Sequence, residues 1–518
     1  MKILLVYPQY PDTFWSFKHA LKIGPSKALN TPLGPLTVAA MLPEDWDKKF
    51  VDMNVTKLKD KDISQADFVF ISAMVVQQKS AREVVDRCKK LGTKVVAGGP
   101  FYTTGYGVFD FEGIDHLILN EAEVTLPLFL KDLEDGCPKR IYTTEQRADI
   151  GTSPTPLFSL ANLKKYAQVT VQYSRGCPYD CEFCDIIVMD GHKPRTKSRE
   201  QMLRELGAIY NQGYRGTVFI VDDNFIGNKR KLKAEIMPAI IEWQKERGYP
   251  FRFLTEASVN LADDDELMQL MSDSGFTRVF VGIESPNEES LTECHKFTNK
   301  NRDLIASVKK LQNYGFDVMG GFIVGFDSDP VSIFKSQINF IQNSGIVTAM
   351  VGLLNAPPKT KLWYRLNREN RVLPEGSGDN TDGTTNFIPK MRYDVLMNGY
   401  KQILQTIYAP KEYYDRIRTF LKEYRPNSEL GSRSRLKAHH IVSLIKSALF
   451  LGISDRARTE YWKLIFSTLL RYPRLLGLSV QLAAQGFHFR KVQEKIKNIQ
   501  VDDILIAKQI ELMDSRSS

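Results

Sequence analysis

The sequence predicts an α/β chain in three parts. They are a doubly wound N-terminal domain over residues 1–135, a partial (β/α)6 barrel over 166–390 and an α-helical C-terminal domain over 391–518, with a linker at 136–165. Three observations carry that expectation. Short apolar runs alternate with helical spacings through the first segment; the alternation resumes with a longer period after the linker; and it gives way to helical periodicity alone from Tyr393. Strands alternating with helices imply βαβ units and parallel sheets. A chain of 518 residues exceeds the ordinary domain of about 100–200 residues, and 43% hydrophobic with 25% charged residues supports a large buried core.

The first strands are read at Ile3–Val6, Phe50–Met53, Phe68–Ser72, Lys94–Ala97 and His116–Leu119, with helical spacing at Leu36–Leu42 and Ser80–Leu91. Their C-terminal ends carry Pro8, Ser72–Met74, Gly98-Gly99-Pro100 and Asn120-Glu121, where a doubly wound fold places its ligand loops. Ser72, Gly98, Gly99 and Glu121 are therefore candidate cofactor contacts. The second set is Gln168–Gln172, Thr217–Val221, Arg252–Ala257, Arg278–Ile283, Asp317–Val324 and Ala349–Leu354, separated by helices such as Glu200–Gln212, Lys231–Lys245 and Asn301–Tyr314. Six βα units suggest an open barrel with its chemistry at the C-terminal strand ends. A Gly/Asn/Asp-rich loop, Glu375–Asn386, closes this region.

Six cysteines, three of them packed between 177 and 184, do not form a disulfide framework and point to a reducing cytoplasm. The N-terminal MKILLVYPQYPD reads as a strand rather than a signal peptide, and no run of about 18 apolar residues predicts a spanning helix.

Ser174-Arg-Gly-Cys177-Pro-Tyr-Asp-Cys181-Glu-Phe-Cys184 follows a strand directly. Three thiolates at intervals of four and three suit a [4Fe-4S] cluster whose fourth iron stays open for chemistry. Zinc, with His192 as a fourth ligand, is the weaker reading. Cys88, Cys137 and Cys294 read as ordinary small residues. CxxxCxxC with an aromatic at Phe183, after the first strand of a barrel, resembles the radical S-adenosylmethionine superfamily across about 165–360. That resemblance implies that the methionine amino and carboxylate groups of S-adenosylmethionine chelate the fourth iron, and that one electron then yields a 5′-deoxyadenosyl radical. In the family the second strand ends at the methionine-amino site. Here Asp222-Asp223-Asn224 stands in place of the usual glycine pair plus glutamate. By the same resemblance Glu256, and Glu284 in Val281-Gly-Ile-Glu-Ser285, contact the cofactor's amino group and ribose.

A doubly wound, Rossmann-like domain ahead of such a barrel resembles the cobalamin-dependent branch, in which this domain carries cobalamin over the cluster. The Asp-x-His-x-x-Gly motif that ligates cobalt is absent, as it is in the radical methylases. Gln172 to Ile186, Phe219 to Ile226, Ile241-Glu-Trp-Gln-Lys245, Asn30-Thr-Pro-Leu-Gly-Pro35 and the helical tail after Tyr408-Ala-Pro410 resemble the hopanoid C-2 methylases. The resemblance implies radical methylation of an unactivated carbon on a hydrophobic, hopanoid-like lipid, with an electron donor such as flavodoxin or ferredoxin. Two rivals stay open: radical cyclisation or rearrangement without methyl transfer, and a non-enzymatic iron–sulfur or cobalamin sensor.

The net charge of +9 is concentrated: residues 431–500 carry 13 Lys/Arg against 3 Asp/Glu. Large apolar residues there interleave with Lys446, Lys463, Arg471, Arg474 and Arg490. An interfacial helix has this pattern, so the segment is expected to make peripheral contact with the inner face of the cell membrane or with a lipid substrate. A core helix pair with a solvated basic face is the second reading. Nucleic acid is the third, with no binding motif accompanying the charge.

Overall fold

The computed structural model describes residues 1–373, 376–379, 382–427 and 438–499, with Ile506 and Gln509 beyond. Residues 431–437 at the head of the basic segment, residue 500 at its end and most of 501–518, together with Glu375 in the closing loop, lie outside the described residues. In chain order the strands are β1 (Lys2–Tyr7), β2 (Ala28–Asn30), β3 (Asp47–Asp52), β4 (Phe68–Ser72), β5 (Lys94–Gly98), β6 (His116–Ile118), β7 (Ile141–Tyr142) and β8 (Tyr166–Val171). Then follow β9 (Ser174–Arg175), β10 (Arg195–Thr196), β11 (Thr217–Ile220), β12 (Arg252–Glu256), β13 (Phe276–Glu284), β14 (Asp317–Val324) and β15 (Ala349–Leu353).

The first sheet is parallel throughout, in the order β3-β1-β4-β5-β6-β7. Its central strands β1, β4 and β5 are near-continuous apolar runs because helices cover both faces, as a parallel sheet requires, whereas the edge strand β3 is mostly polar. The chain leaves β1 for β3 on one side and returns to β4 on the other. The loops after β1 and β4 therefore border a switch point, where such sheets take ligands. The second sheet, β15-β14-β13-β12-β11-β8-β2, is also parallel and opens as a partial barrel.

Two short strands tie the sheets to each other's sequence. β2 lies within the first 135 residues, yet it pairs with β8, with Ala28 opposite Tyr166 and Asn30 opposite Gln168. Its register is pinned by the buried Thr31 and Thr170 hydroxyls, 3.0 Å apart, and by the Thr170 N–H donating to Thr31 Oγ1 at 2.9 Å. β7, inside the stretch read as a linker, extends the first sheet at its edge.

The C-terminal part is helical, over Lys361–Arg368, Tyr393–Ile407, Pro410–Glu423, Ala438–Leu449, Arg458–Arg471 and Leu476–Lys497. It is no detached appendage, because one hydrophobic cluster runs from Phe14 through the barrel to Ile496. Phe489 stacks on Phe14 with ring centroids 4.4 Å apart. Arg490, read from sequence as a basic flank, is instead buried and paired with Asp455. His488 is fully buried, its Nε2 facing the Phe14 carbonyl at 2.9 Å and its Nδ1 the His19 N–H at 3.4 Å. Asp12, His19 and His488 lie close enough to suggest a metal site. Asp12, however, is already paired with His19 and Lys495, and both nitrogens of His488 are occupied, so the trio clasps the N-terminal segment to the last long helix.

Burial pushes His488 down to about 4. The folded chain holds it neutral, whereas the unfolded chain takes up a proton near the ordinary histidine value of about 6.5. Its contribution is complete above that value and is lost as pH falls towards about 4, by up to roughly 3 kcal/mol. Denaturant titrations of the parent and of His488→Gln between pH 7.5 and 4.5 should therefore converge on acidification. Parallel curves would show that the histidine is not held neutral.

Candidate active site

The site is built at the C-terminal ends of the second sheet's strands. β9 and β10 pair antiparallel, Arg195 opposite Arg175 and Thr196 opposite Ser174, and close the loop that carries the cysteines. Gly176 is required at its neck: its φ is +93°, and a Cβ there would meet the carbonyl oxygens of Lys193 and Gly191 at 2.8 and 2.9 Å. The Cys177 N–H donates to the Gly191 carbonyl at 3.1 Å and the Cys184 N–H to the Cys181 carbonyl at 3.1 Å. Cys181 is buried; Cys177 and Cys184 are half-buried. Phe183 packs against Phe326, centroids 6.3 Å apart.

Burial pushes all three thiols above the ordinary range, and the nearby Lys296 ammonium pulls each of them back. Lys296 is itself nearly buried. Burial disfavours its charge, but Glu284, whose Oε1 accepts from Nζ at 2.9 Å, outweighs that and keeps it protonated. Glu284 sits at φ +61° and folds its carboxylate back over Gly282, where a Cβ would collide with both Glu284 and Lys296. Asn224 Nδ2 lies 3.9 Å from Cys177 Sγ while its Oδ1 accepts from the Ser258 N–H at 3.2 Å.

Three further acids divide by role. Asp222 is fully buried, and its two oxygens accept from the Tyr173 N–H (2.7 Å), the Ser174 N–H (2.7 Å) and the Ser174 hydroxyl (2.6 Å). It fixes the backbone just before the cysteine loop, and burial pushes it up to about 7 against the pull of those donors. Glu256 and Asp223 have no hydrogen bond or ion pair with the described residues. Burial and the charge of Asp222 push Glu256 up to about 7. Burial and the charges of Asp190, Glu256, Asp222 and Asp185 push Asp223 up as well. Acids without partners, set close enough to raise one another, favour a cationic ligand.

The first sheet meets the barrel at Arg175. Its guanidinium reaches Glu121 Oε2 (3.0 Å) and both oxygens of Glu123 (3.0 and 2.7 Å); Arg195 adds a second contact to Glu121 at 2.7 Å. Glu121, read as a cofactor contact, is thus held by two arginines. Burial opposes ionisation of Glu123, yet Arg175 and the Ser153 hydroxyl draw it down to about 2. Ser72 stands half-buried at the end of β4. Gly99 (φ +94°) packs where a Cβ would meet Ser72 Oγ at 2.8 Å, and a Cβ on Gly98 would meet the Ile118 carbonyl at 2.8 Å. Both glycines let neighbouring strand-end loops close on each other.

From the opposite side Arg365 forks onto Glu182 at 2.7 and 3.0 Å, and the Leu362 N–H donates to the Glu182 carbonyl at 2.9 Å. His192 is exposed, with its nearest acid, Asp180, 3.8 Å away. Cys294 is buried behind the loop with its thiol turned to the Leu291 carbonyl, and Cys88 lies in the core of the first sheet. Sequence reasoning missed Lys296, Arg175, Glu123 and Arg365, and named Asn224 only as the end of the Asp222-Asp223-Asn224 segment. Arg175 adjoins residues it had singled out; the other three carry no local signature.

Residues 171–336 match the Radical SAM superfamily, and residues 360–501 match a domain of unknown function (DUF4070). An uncharacterized methyltransferase of Synechocystis is 41% identical, over 96% of this chain and 93% of the relative. The hopanoid C-2 methylase of Rhodopseudomonas palustris is 33% identical, over 91% of this chain and 90% of the relative. The chain belongs to this family of radical S-adenosylmethionine methyltransferases. The fold of the enzyme is also that of the cobalamin-dependent S-adenosylmethionine radical enzyme OxsB, solved with aqua-cobalamin bound: TM-score 0.61 at 15% identity, over 99% of this chain and 84% of that chain.

Asp222→Asn sets an amide nitrogen against the Tyr173 N–H or against the two Ser174 donors and should cost about 1–3 kcal/mol. It should also lower the iron retained after anoxic reconstitution, because the cysteine loop loses its fixed start. Full iron content together with an unchanged melting temperature would show that those bonds do not position the loop.

Proposed function

We propose that this methyltransferase transfers a methyl group to an unactivated carbon of a hydrophobic, hopanoid-like lipid, using a [4Fe-4S] cluster, S-adenosylmethionine and cobalamin. One observation carries the reading: three cysteines on a loop braced from both sides, beside the mutually close Asp223 and Glu256, which have no counter-ion among the described residues. Bound there, the cluster and S-adenosylmethionine supply a carbon-centred radical able to take hydrogen from an unreactive C–H, and methylcobalamin supplies the methyl group. Cys177, Cys181 and Cys184 would hold three irons; the thiol of Cys294, close by, is turned to the Leu291 carbonyl. Phe183 would shield the cluster. Asp223 and Glu256, without partners among the described residues, and Glu284 beside Lys296 would receive the ammonium and ribose of a cofactor that carries a sulfonium besides.

In this reading residues 1–135 would carry cobalamin at the C-terminal edge of the first sheet, along Ser72, Gly98 and Gly99, with Glu121 bracing its border. The residues fit a cofactor held by backbone. Gly98 and Gly99 stand half-buried at the end of β5, beside the loop after β4 that borders the switch point, and no histidine occurs in the strand-end loops 8–13, 72–78, 98–105 or 119–121 to ligate cobalt. The lipid substrate is supported by the activity named for the Rhodopseudomonas relative. A reductant such as flavodoxin or ferredoxin would supply the electron, and a lipid substrate would be met at the inner face of the membrane. No helix among the described residues is long and apolar enough to cross one.

Anoxic protein given cobalamin, methyl-labelled S-adenosylmethionine and a dispersed hopanoid should yield 5′-deoxyadenosine and labelled lipid. 5′-Deoxyadenosine without label in any product would favour cyclisation or rearrangement instead. Cys181→Ala should abolish both products and Cys88→Ala neither. Glu284→Gln keeps the side chain's shape but removes its charge. It should retain iron and weaken S-adenosylmethionine binding by on the order of 1.5–3 kcal/mol; unchanged affinity would remove Glu284 from the site.

A further inference from the structure

Of the nineteen large apolar side chains exposed among the described residues, ten fall between 442 and 470. They form two stripes at helical spacing. Val442, Ile445, Leu449 and Ile453, with Leu444 and Phe450 beside them, lie on the helix Ala438–Leu449 and the turn that follows it. Trp462, Phe466, Leu469 and Leu470 lie on the helix Arg458–Arg471. The stripes share one surface: Trp462 Nε1 donates to the Gly452 carbonyl at 3.0 Å, and the Ser447 and Tyr461 hydroxyls meet at 2.8 Å beneath. The opposite side of the second helix is already used, since Tyr461, Leu464, Ile465 and Thr468 are buried against the rest of the tail. Leu470 is 85% exposed, which is costly in water.

The charges around this face are one-sided. The acids of the stretch are spent internally, Asp455 on Arg490 and Glu460 on Arg418 and Lys463. Lys446, Arg456, Arg458, Arg471 and Arg474 are exposed and make no ion pair with the described residues. We infer that the outward face of the two helices Ala438–Leu449 and Arg458–Arg471 docks on a bilayer surface containing anionic lipid. Its apolar stripes enter the headgroup region, and the five free cations meet phosphate. A second copy of the chain is the poorer occupant, because a two-fold contact sets each patch against itself and so opposes like charges. The inference is drawn from this face alone and goes beyond the substrate assignment. A lipid substrate gives the docking a purpose.

Vesicle flotation of the full, cluster-loaded chain tests it. The parent should float with vesicles of phosphatidylglycerol and phosphatidylcholine in equal parts, and about tenfold less with phosphatidylcholine alone. Raising salt, which shrinks the Debye length from ~10 Å at 0.1 M to ~3 Å at 1 M, should weaken binding and leave an apolar remainder. Phe466→Ser with Leu470→Ser should remove that remainder. Arg471→Glu with Arg474→Glu should remove the preference for anionic vesicles. Both variants should match the parent in melting temperature and cluster absorbance. Failure of the parent to float with any vesicle would overturn the inference, as would a parent dimer that the Phe466/Leu470 variant dissociates. Flotation without lipid methylation would sink the substrate reading and leave the surface standing; methylation of dispersed lipid without flotation would do the reverse.

Discussion

The contact between Arg175 and the two acids Glu121 and Glu123 joins the two sheets where the cysteine loop begins. Both acids sit at the start of the helix Ala122–Glu134, where the N-terminal end of the dipole favours negative charge. Arg175 stands two residues before Cys177, across the neck formed by Gly176. The position of the first cysteine is therefore tied to the docking of the first sheet. Burial alone would disfavour every charge in this group, and only the close match of guanidinium to two carboxylates offsets it. Removing one partner from such a buried set costs about 3–5 kcal/mol, because the other is left charged and dry. Arg365 repeats the device on Glu182. The loop is thus gripped near both ends, by a residue from before the barrel and by one from after it, and neither flanking part is dispensable to the site.

The regular strands were legible because a parallel sheet buried on both faces writes itself as continuous apolar runs. Phe68–Ser72 and Asp317–Val324 begin and end in the structure where the sequence places them. β2 was not legible. Ala28–Asn30 is three residues long, with no period to display, and its partner Tyr166–Val171 is more than a hundred residues away. β7 is shorter still and lies in a polar stretch that reads as linker. Both are strands made by their neighbours. The same holds for the tail, whose helices were plain from their spacing but whose shared core with Phe14 was not, because contact between the two ends of a chain leaves no local trace.

The candidate site divides in the same way. The three cysteines were legible because their spacing is the signal, and the strand-end acids because position after a strand is one. Their partners decide what each can do, and partners were not legible. Asp222 and Asp223 are adjacent and chemically identical, yet one has both oxygens filled by the backbone after the neighbouring strand β8 while the other has no hydrogen bond with the described residues. Glu121 lies in the loop after β6 and Glu256 ends β12, yet Glu121 is paired with two arginines while Glu256 has no ion pair among the described residues and feels the charge of Asp222. Lys296, whose ammonium acts on all three thiols, comes from a turn with no recognisable pattern.

The helix Arg458–Arg471 shows why the tail admitted two readings from sequence. A helix apolar on all sides ordinarily reads as a core helix, and one flanked by arginine and lysine reads as interfacial. Here the inward side, Tyr461, Leu464, Ile465 and Thr468, satisfies the first description, and the outward side, Trp462, Phe466, Leu469 and Leu470, satisfies the second. The two readings describe opposite faces of one element. Charge separates the faces: acids of the stretch turn to protein partners while arginines and a lysine are left to solvent. A surface stripped of its own acids and crowded with large apolar groups has an unfavourable term in water on both counts, and an interface of phosphate over hydrocarbon relieves the two together.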